Sequence, residues 1–129
     1  MADKLTRILY VEDEPDIRMV ARLALETVGG FTVEVCSSGS EALTKIGAFK
    51  PQLILLDVMM PDMDGPTTLG KLRKLPEFAA TPVIFMTAKV QPREVEGYKQ
   101  IGAVDVIPKP FDPMTLASTV VTIWDRCHG

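Results

Sequence analysis

Four short apolar runs alternate along the chain with longer segments of helical periodicity, and each run leads into a polar residue. The runs are Ile8–Val11, Leu53–Leu56, Val83–Met86 and Val104–Ile107, the last interrupted by Asp105. Short continuous apolar runs between turn signals are typical of strands buried on both faces of a parallel sheet. A further segment, Phe31–Val35, alternates apolar and polar residues. Alternation indicates one solvated face, so we expect this strand at the sheet edge.

The segments between the strands carry the signals of helices. Residues 15–28 place a set of apolar residues on one face: Ile17, Val20, Ala21, Ala24, Leu25 and Val28. The starts of later helices are indicated by the Ser38–Glu41 capping-box pattern, by Asp64, by Pro92, and by Asp112–Pro113 as N-cap and first helical residue. Right-handed crossovers between such units predict an α/β fold, a doubly wound five-stranded parallel sheet with helices on both faces.

Length, charge and composition narrow the class of protein. A chain of 129 residues suits a single domain with one core, and we expect that domain to span 1–129. The formal net charge of −3 provides no basic footprint for nucleic acid. No apolar run approaches the ~18 residues of a membrane helix and no secretion signal is present, so we expect a cytoplasmic protein without a membrane partner. Two cysteines fit a reducing compartment.

Polar side chains with useful chemistry follow the predicted strands. Glu12 and Asp13 follow the first strand, Asp57 the third, Thr87 the fourth and Lys109 the fifth. In such sheets the active crevice lies at the carboxyl ends of the strands. Neighbouring strands lie ~4.8 Å apart, so Asp13 and Asp57 reach a common point if strand three lies beside strand one. A lysine stem nearly spans the ~10 Å of backbone separation from two strands away.

Clustered carboxylates and a lysine indicate a specific chemistry. Carboxylates with an ordinary pKa are charged at neutral pH, and they repel each other unless a proton or a cation intervenes. An oxygen-only ligand set with waters and a phosphate suits Mg²⁺. Asp57 is then a nucleophile able to accept a phosphoryl group. Lys109 neutralises the charge of that group, and Thr87 hydrogen-bonds one of its oxygens.

The same residues carry a resemblance to a known family. The matching motifs are Glu12–Asp13, the segment Leu55–Gly65 around Asp57, Thr87–Ala88 and Lys109–Pro110–Phe111. These motifs are highly specific in this order and spacing, and over its whole length the chain resembles a receiver domain of the two-component response regulators. Within that family it is similar to the stand-alone receivers of the chemotaxis type.

The resemblance implies a flavodoxin-like sheet of order 2-1-3-4-5 with a phosphorylation site at Asp57. Thr87 and Lys109 are implied to act with Asp57 in phosphoryl transfer. Four groups are implied as ligands of Mg²⁺: Glu12, Asp13, Asp57 and the main-chain carbonyl of Met59. A cis peptide bond between Lys109 and Pro110 is also implied, and X-Pro bonds adopt this form at low cost.

Two positions depart from the family pattern. Val106 stands three residues before Lys109, where the family often has a tyrosine or phenylalanine that takes part in the switch. Pro108 directly precedes the lysine. We therefore expect the signal to leave mainly through the segment Thr87–Pro92, between the fourth strand and the fourth helix.

The sequence thus predicts a phosphoacceptor of a two-component phosphorelay. The phosphoryl group is expected from a sensor histidine kinase or a histidine phosphotransfer protein, since the single histidine, His128, lies next to last in the chain. The phosphorylated form then switches its binding to an output protein that the sequence does not name. On this interpretation the protein is not an enzyme of external substrates, and it catalyses only its own phosphorylation and dephosphorylation.

Three alternatives share parts of the pattern. A flavodoxin-type flavin protein has the same sheet order, but it needs phosphate-binding hydroxyls and amides after the first strand, where the run Glu12–Glu14 repels phosphate. A phosphatase with an aspartate nucleophile needs an acid two residues further on, where this chain has Met59. The third alternative is a receiver cut from a longer regulator, which the sequence leaves open.

Overall fold

The computed structural model describes residues 4–128 and shows one parallel sheet between two layers of helices. Within that range the strands are β1 (Arg7–Val11), β2 (Thr32–Cys36), β3 (Leu53–Asp57), β4 (Val83–Thr87) and β5 (Asp105–Pro108). The helices are α1 (Pro15–Leu23), α2 (Gly39–Phe49), α3 (Gly65–Arg73), α4 (Pro92–Gln100) and α5 (Leu116–His128). A π-helical turn, Ala24–Val28, continues α1, and a 3₁₀ turn, Pro76–Phe78, precedes β4. None of these helices is long and apolar enough to cross a lipid bilayer.

The strands pair in the order β2-β1-β3-β4-β5 and all pairs are parallel, which confirms the predicted fold and strand order. Tyr10 of β1 lies opposite Val35 of β2 on one side and Leu55 of β3 on the other. β3 and β4 are buried at every residue, in agreement with their uninterrupted apolar sequences. β2 is an edge strand with Thr32 exposed and Glu34 half-buried, as its alternating pattern predicts.

The sheet separates two hydrophobic cores, because successive residues of a strand point to opposite faces. Ile8 and Tyr10 of β1 face the core that includes residues of α1 and α5. Leu9 and Val11 face the core that includes residues of α2 and α3. Burying a large aliphatic side chain in this way contributes about 2 kcal/mol. The two cores therefore hold the strands firmly, and with them the polar residues that follow each strand.

Three predicted helix starts are confirmed. The Ser38 hydroxyl accepts a hydrogen bond from the Glu41 amide at 3.1 Å, and the Asp64 carboxylate accepts one from the first turn of α3 at 2.8 Å. α4 begins at Pro92. The capping box at Ser38 is only half formed, because the Glu41 carboxylate accepts a hydrogen bond from the amide of Ser37 instead of that of Ser38.

The predicted start of α5 is wrong. The helix begins at Leu116 rather than at Pro113. The Asp112 carboxylate accepts a hydrogen bond from the Met114 amide at 2.9 Å, and the Asp112 carbonyl accepts one from the Thr115 amide at 3.1 Å. These bonds close a turn, and the Asp112 carbonyl also accepts a hydrogen bond from the amide of Leu116, the first residue of α5, at 3.0 Å, so Asp112 lies one turn before the helix.

The helical segment spans residues 15–28 as predicted, its last five residues as the π-helical turn, whereas the predicted strand Phe31–Val35 is shifted by one residue. The Phe31 amide donates to the Leu25 carbonyl at 3.2 Å, so this amide is not available to the sheet and β2 begins one residue later. Leu25 is buried as predicted, but Val20 and Val28 are 44% and 53% exposed. The wider π turn rotates Val28 out of the apolar stripe, and Val20 lines an open groove on the surface.

Candidate functional site

The polar residues predicted for the site all lie at one edge of the sheet. Glu12 and Asp13 directly follow β1, Asp57 is the last residue of β3, Thr87 is the last residue of β4, and Lys109 directly follows β5. Because all the strands are parallel, their carboxyl ends meet at the same edge. The structure therefore brings together the side chains that the sequence singled out.

Three carboxylates form the centre of the site. One oxygen from each of Glu12, Asp13 and Asp57 lies within 4.8 Å of the other two. Glu12 and Asp57 are buried, and Asp13 is half-buried. Three negative charges this close together repel each other unless a cation lies between them. Their oxygens are the ligands that a hard cation such as Mg²⁺ prefers.

Oδ1 of Asp57 shows whether a cation fits the site. Within residues 4–128 it is the buried side-chain oxygen that lacks a hydrogen-bond donor. Nζ of Lys109 lies 3.3 Å away and provides charge, but not a well-directed hydrogen bond. A buried acceptor without a donor costs about 1–3 kcal/mol, and a coordinated cation removes that cost. The residues present therefore fit a divalent cation.

Lys109 is the cation of the cluster. Its Nζ lies 2.9 Å from Oε1 of Glu12 and 3.3 Å from Oδ1 of Asp57, and its side chain is largely buried. Burial lowers the pKa of Lys109, but the two carboxylates outweigh burial and the pKa is raised overall. The lysine therefore stays charged and compensates part of the negative charge. The peptide bond between Lys109 and Pro110 is cis, as the resemblance implied.

Asp57 carries the least favourable negative charge of the site. Burial, and then the neighbouring carboxylate of Glu12, raise the pKa of Asp57 to about 7, although Lys109 acts in the opposite direction. A carboxylate that is destabilised in this way gains more than an ordinary one from a nearby cation, which favours its charged form. The site is therefore prepared for additional positive charge.

Thr87 and Met59 complete the predicted set. Thr87 is buried, and its hydroxyl accepts a hydrogen bond from the Lys89 amide at 3.1 Å, in the loop that precedes α4. Met59 follows Asp57 and Val58, and 62% of its surface is exposed. A thioether neither donates nor accepts protons, so this position adds no acid or base to the site.

The loop after β3 depends on Gly65. The Gly65 amide donates to the Val58 carbonyl at 2.9 Å, which folds the loop back on β3. A Cβ atom at position 65 would lie 2.7 Å from the Asp57 carbonyl oxygen and 2.9 Å from the Cα of Val58. Such contacts would displace the backbone that carries Asp57. Asp62, in the same loop, adopts a left-handed conformation with a φ of 68°.

Sequence reasoning missed two neighbours of Glu12. The hydroxyl of Tyr10 in β1 donates to Oε1 of Glu12 at 3.5 Å. Arg18 of α1 donates from Nη1 to the main-chain carbonyl of Glu12 at 2.9 Å. Residues 10 and 12 lie on the same face of an extended chain because side chains alternate along a strand, so the sequence contains a signal for the contact of Tyr10 with Glu12. Arg18 has the pattern of a solvent-facing helix residue, so no sequence signal points to its contact.

Comparisons with known proteins agree with this geometry. The sequence model of the response regulator receiver domain matches residues 8–121. The response regulator Rre1 of Synechocystis sp. is 36% identical over 127 residues, which are 98% of this chain and 54% of that protein. The chemotaxis protein CheY4 of Vibrio cholerae has a TM-score of 0.85 and 30% identity over 93% of this chain and 99% of its own. The signal receiver domain of a signal transduction histidine kinase from Syntrophus aciditrophicus has a TM-score of 0.79 and 35% identity, over 94% of this chain and 91% of its own.

The chain belongs to the family of response regulator receiver domains, which are the phosphoacceptor modules of two-component signalling. Members of this family bind Mg²⁺ through acidic residues and work with histidine kinases, and Glu12, Asp13 and Asp57 form such an acidic cluster here. The chain spans about half the length of several curated relatives, 54% in the case of Rre1. The domain extent 1–129, the cytoplasmic location and the lack of nucleic-acid and membrane partners stay predictions.

Proposed function

We propose that Asp57 accepts a phosphoryl group from the phosphohistidine of a partner protein, with the help of Mg²⁺, and that the phosphorylated form binds an output protein. One observation carries this proposal. Three carboxylates within 4.8 Å of one another meet a lysine ammonium 3.3 Å from Oδ1 of Asp57, at the carboxyl edge of a parallel sheet. This arrangement combines a nucleophile, ligands for a hard cation and a counter-charge for phosphate.

Asp57 acts as the nucleophile. One carboxylate oxygen forms a bond to phosphorus while the bond from phosphorus to the donor nitrogen breaks, and the electron pair of that bond leaves with the donor. The attack requires the charged form of Asp57. Its pKa is raised to about 7 by burial and by Glu12. Positive charge at the site lowers the pKa again, so cation binding prepares the nucleophile.

Four groups would hold Mg²⁺: the carboxylates of Glu12, Asp13 and Asp57 and the main-chain carbonyl of Met59. When bound, Mg²⁺ supplies positive charge that compensates the negative charge of the phosphoryl oxygens. Oδ1 of Asp57, which has the Lys109 ammonium nearby but lacks a hydrogen-bond donor, supports its part in this set. Arg18 holds the main-chain carbonyl of Glu12 at 2.9 Å, which steadies the loop that presents two of the ligands.

Lys109 and Thr87 would bind the phosphoryl group. The Lys109 ammonium lies beside Asp57 already and reaches a phosphoryl group with a small movement. The Thr87 hydroxyl accepts a hydrogen bond from Lys89 at 3.1 Å, which leaves its own proton available for a phosphoryl oxygen. A turn of Thr87 toward that oxygen disturbs the contact with Lys89 and so moves the loop before α4. This movement is the proposed start of the signal.

An apolar groove beside the site supports a protein as the phosphoryl donor. The groove has a volume of about 500 Å³ and lies between α1 and the loop after β5. Its apolar lining includes Ile17, Val20, Pro110, Phe111 and Pro113. Exposed apolar surface of this kind favours protein docking over the binding of a free phosphate compound. We propose that the sensor histidine kinase or histidine phosphotransfer protein docks there.

Turnover of external phosphomonoesters is not part of the proposal. An aspartate-nucleophile phosphatase needs an acid that protonates the leaving alcohol. The position two residues after Asp57 holds the exposed thioether of Met59 instead. The chain is proposed to catalyse only its own phosphorylation and dephosphorylation.

Intact-mass measurement after incubation with acetyl phosphate tests the proposal. With Mg²⁺ present, the wild-type mass should rise by one phosphoryl group. Asp57→Asn should abolish the gain, whereas Asp62→Asn, the same change at an exposed loop position, should retain it. Full labelling of Asp57→Asn, or full labelling of the wild type in the presence of a chelator, would contradict the assignment.

A further inference from the structure

The hydroxyl of Tyr10 lies behind the acidic cluster. Tyr10 belongs to β1, which lies between β2 and β3, and its side chain is fully buried. The hydroxyl donates to Oε1 of Glu12 at 3.5 Å. A phenol has an ordinary pKa of about 10 and keeps its proton at neutral pH, so the hydroxyl is the donor and the carboxylate of Glu12 the acceptor.

Glu12 is fully buried and relies on a small group of donors. Its Oε2 accepts a hydrogen bond from the Glu14 amide at 3.3 Å. Its Oε1 accepts from Nζ of Lys109 at 2.9 Å and from the Tyr10 hydroxyl at 3.5 Å. A buried carboxylate that loses its donors is strongly destabilised. The two donors to Oε1 therefore hold Glu12 at the site together with the Glu14 amide on Oε2.

Lys109 cannot donate a hydrogen bond to Glu12 under all conditions. Its ammonium lies between two carboxylates, 2.9 Å from Glu12 and 3.3 Å from Asp57. A phosphoryl group on Asp57 carries about two negative charges. It therefore attracts the ammonium more strongly than Glu12 does. Once Lys109 has turned to the phosphoryl group, the Tyr10 hydroxyl is the remaining side-chain donor to Oε1 of Glu12.

We propose that Tyr10 is a positioning residue of the cation site, which holds Glu12 in place as a ligand and does so most when Lys109 is engaged elsewhere. The inference rests on the proposed function, because it assumes that a cation and a phosphoryl group occupy this site. Tyr10 acts through Glu12 rather than by contact with the cation. Groups that hold a metal ligand from behind fix its orientation, and their loss weakens metal affinity.

Titration with magnesium chloride alone tests the role of Tyr10. Tyr10→Phe removes the hydroxyl and leaves the ring in the core, and Tyr98→Phe on α4 is the matched control. Amide chemical shifts of residues 12–14 and 57–60 report binding. We expect the Kd for Mg²⁺ to rise about tenfold in Tyr10→Phe, the lower end of the range for such partners, because Lys109 remains. Tyr98→Phe should bind like the wild type.

A second titration, with beryllofluoride occupying the phosphoryl position, tests the part played by Lys109. Beryllofluoride draws the ammonium away from Glu12, so the loss of Mg²⁺ affinity in Tyr10→Phe should become larger than with the metal alone. The same fold-change in both titrations would overturn the claim that Tyr10 replaces Lys109.

Thermal unfolding in the presence of a chelator separates positioning from simple stability. A lower Tm of Tyr10→Phe together with wild-type Mg²⁺ affinity would mean a structural role and would overturn the proposal. If the wild type itself shows no saturable Mg²⁺ binding, the proposed function fails together with this inference. If the wild type binds and Tyr10→Phe binds equally well, only the role of Tyr10 fails.

Discussion

Nζ of Lys109 lies 2.9 Å from Oε1 of Glu12, although the two residues are 97 positions apart in the chain. The same ammonium lies 3.3 Å from Oδ1 of Asp57. β4 alone separates β5 from β3, whereas β4 and β3 both separate β5 from β1, so the lysine reaches past one strand to Asp57 and past two strands to Glu12. Buried charges of opposite sign are thus drawn from three separate strand ends into one cluster. Each member of that cluster is therefore sensitive to the removal of another.

Replacing Lys109 by Gln should destabilise the metal-free protein at pH 8 by about 2 kcal/mol or more, because it leaves two buried carboxylates without their counter-charge. Lys45→Gln is the control. Lys45 pairs with Glu34 and Glu41 at the surface, and its loss should cost less than about 1 kcal/mol. Urea unfolding at equilibrium measures both changes. Equally small losses would show that the contacts of Lys109 do not stabilise the fold.

Asp57→Asn should stabilise the metal-free protein, and more at pH 8 than at pH 4. The pKa of Asp57 is raised to about 7 in the folded protein, whereas an unfolded aspartate has a pKa of about 3.9. Between these values the folded protein keeps a proton that the unfolded chain has released, so wild-type stability falls as the pH rises from about 4 to about 7. Asparagine does not titrate and avoids that loss, so the free energy of unfolding of Asp57→Asn should exceed that of the wild type by about 2 kcal/mol at pH 8.

Urea unfolding in the presence of a chelator, at both pH values, measures this gain. Asp62→Asn is the control, because Asp62 is exposed and has no part in the cluster. A gain of the same size at pH 4 and pH 8 would contradict the assigned protonation of Asp57.

Met59→Asn should shorten the life of the phosphorylated form. The thioether of Met59 cannot orient a water molecule for attack on the phosphoryl group, whereas an amide can. One additional hydrogen bond of about 1 kcal/mol in the transition state corresponds to decay about threefold to tenfold faster. Met19→Asn is a suitable control, because Met19 is exposed to the same extent, 63% against 62%. Loss of the phosphoryl group after removal of the donor gives the rate, and equal rates would exclude Met59 from this role.

Beryllofluoride should change the amide chemical shifts of residues 87–100 more than those of β5. The Thr87 hydroxyl accepts a hydrogen bond from the Lys89 amide at 3.1 Å. Val106 lies opposite Phe85 in the sheet. The Phe85 ring packs edge-on against the ring of Tyr98 of α4, with 5.3 Å between the two ring centroids. A valine is too short to turn between exposed and buried positions, so movement of Thr87 should pass to the loop before α4 and to α4 itself. Changes confined to β5 would show this route to be wrong.

Gly65→Ala and Gly70→Ala should have opposite effects on stability. A Cβ at position 65 meets the Asp57 carbonyl oxygen at 2.7 Å, and overpacking of this kind costs about 1–3 kcal/mol. A Cβ at position 70, in α3, meets nothing within 4 Å, and alanine there should stabilise the helix by about 0.5–1 kcal/mol. Urea unfolding measures both. Gly65→Ala should also slow the labelling of Asp57 by acetyl phosphate; unchanged stability and labelling would refute the close approach.

Much of the fold was determined by the sequence alone. Uninterrupted apolar runs between turn signals are typical of strands buried on both faces, and β3 and β4 are buried at every residue. The alternation in Phe31–Val35 required a solvated face, and β2 lies at the edge. The polar residues after the strands were identifiable for the same reason, since in a parallel sheet every strand presents its carboxyl end to one edge. The sequence pattern is enough for these features because they depend only on the periodicity of apolar residues along each strand and on the common direction of the parallel strands.

Other features were decided only by the tertiary structure. The raised pKa of Asp57 depends on burial and on Glu12, which another strand supplies. The contact of Arg18 with Glu12, and the position of Lys109 between two carboxylates, likewise join residues from different elements. Electrostatic energy depends on distances through space and on exclusion of water, and neither quantity is expressed in the spacing of residues along the chain.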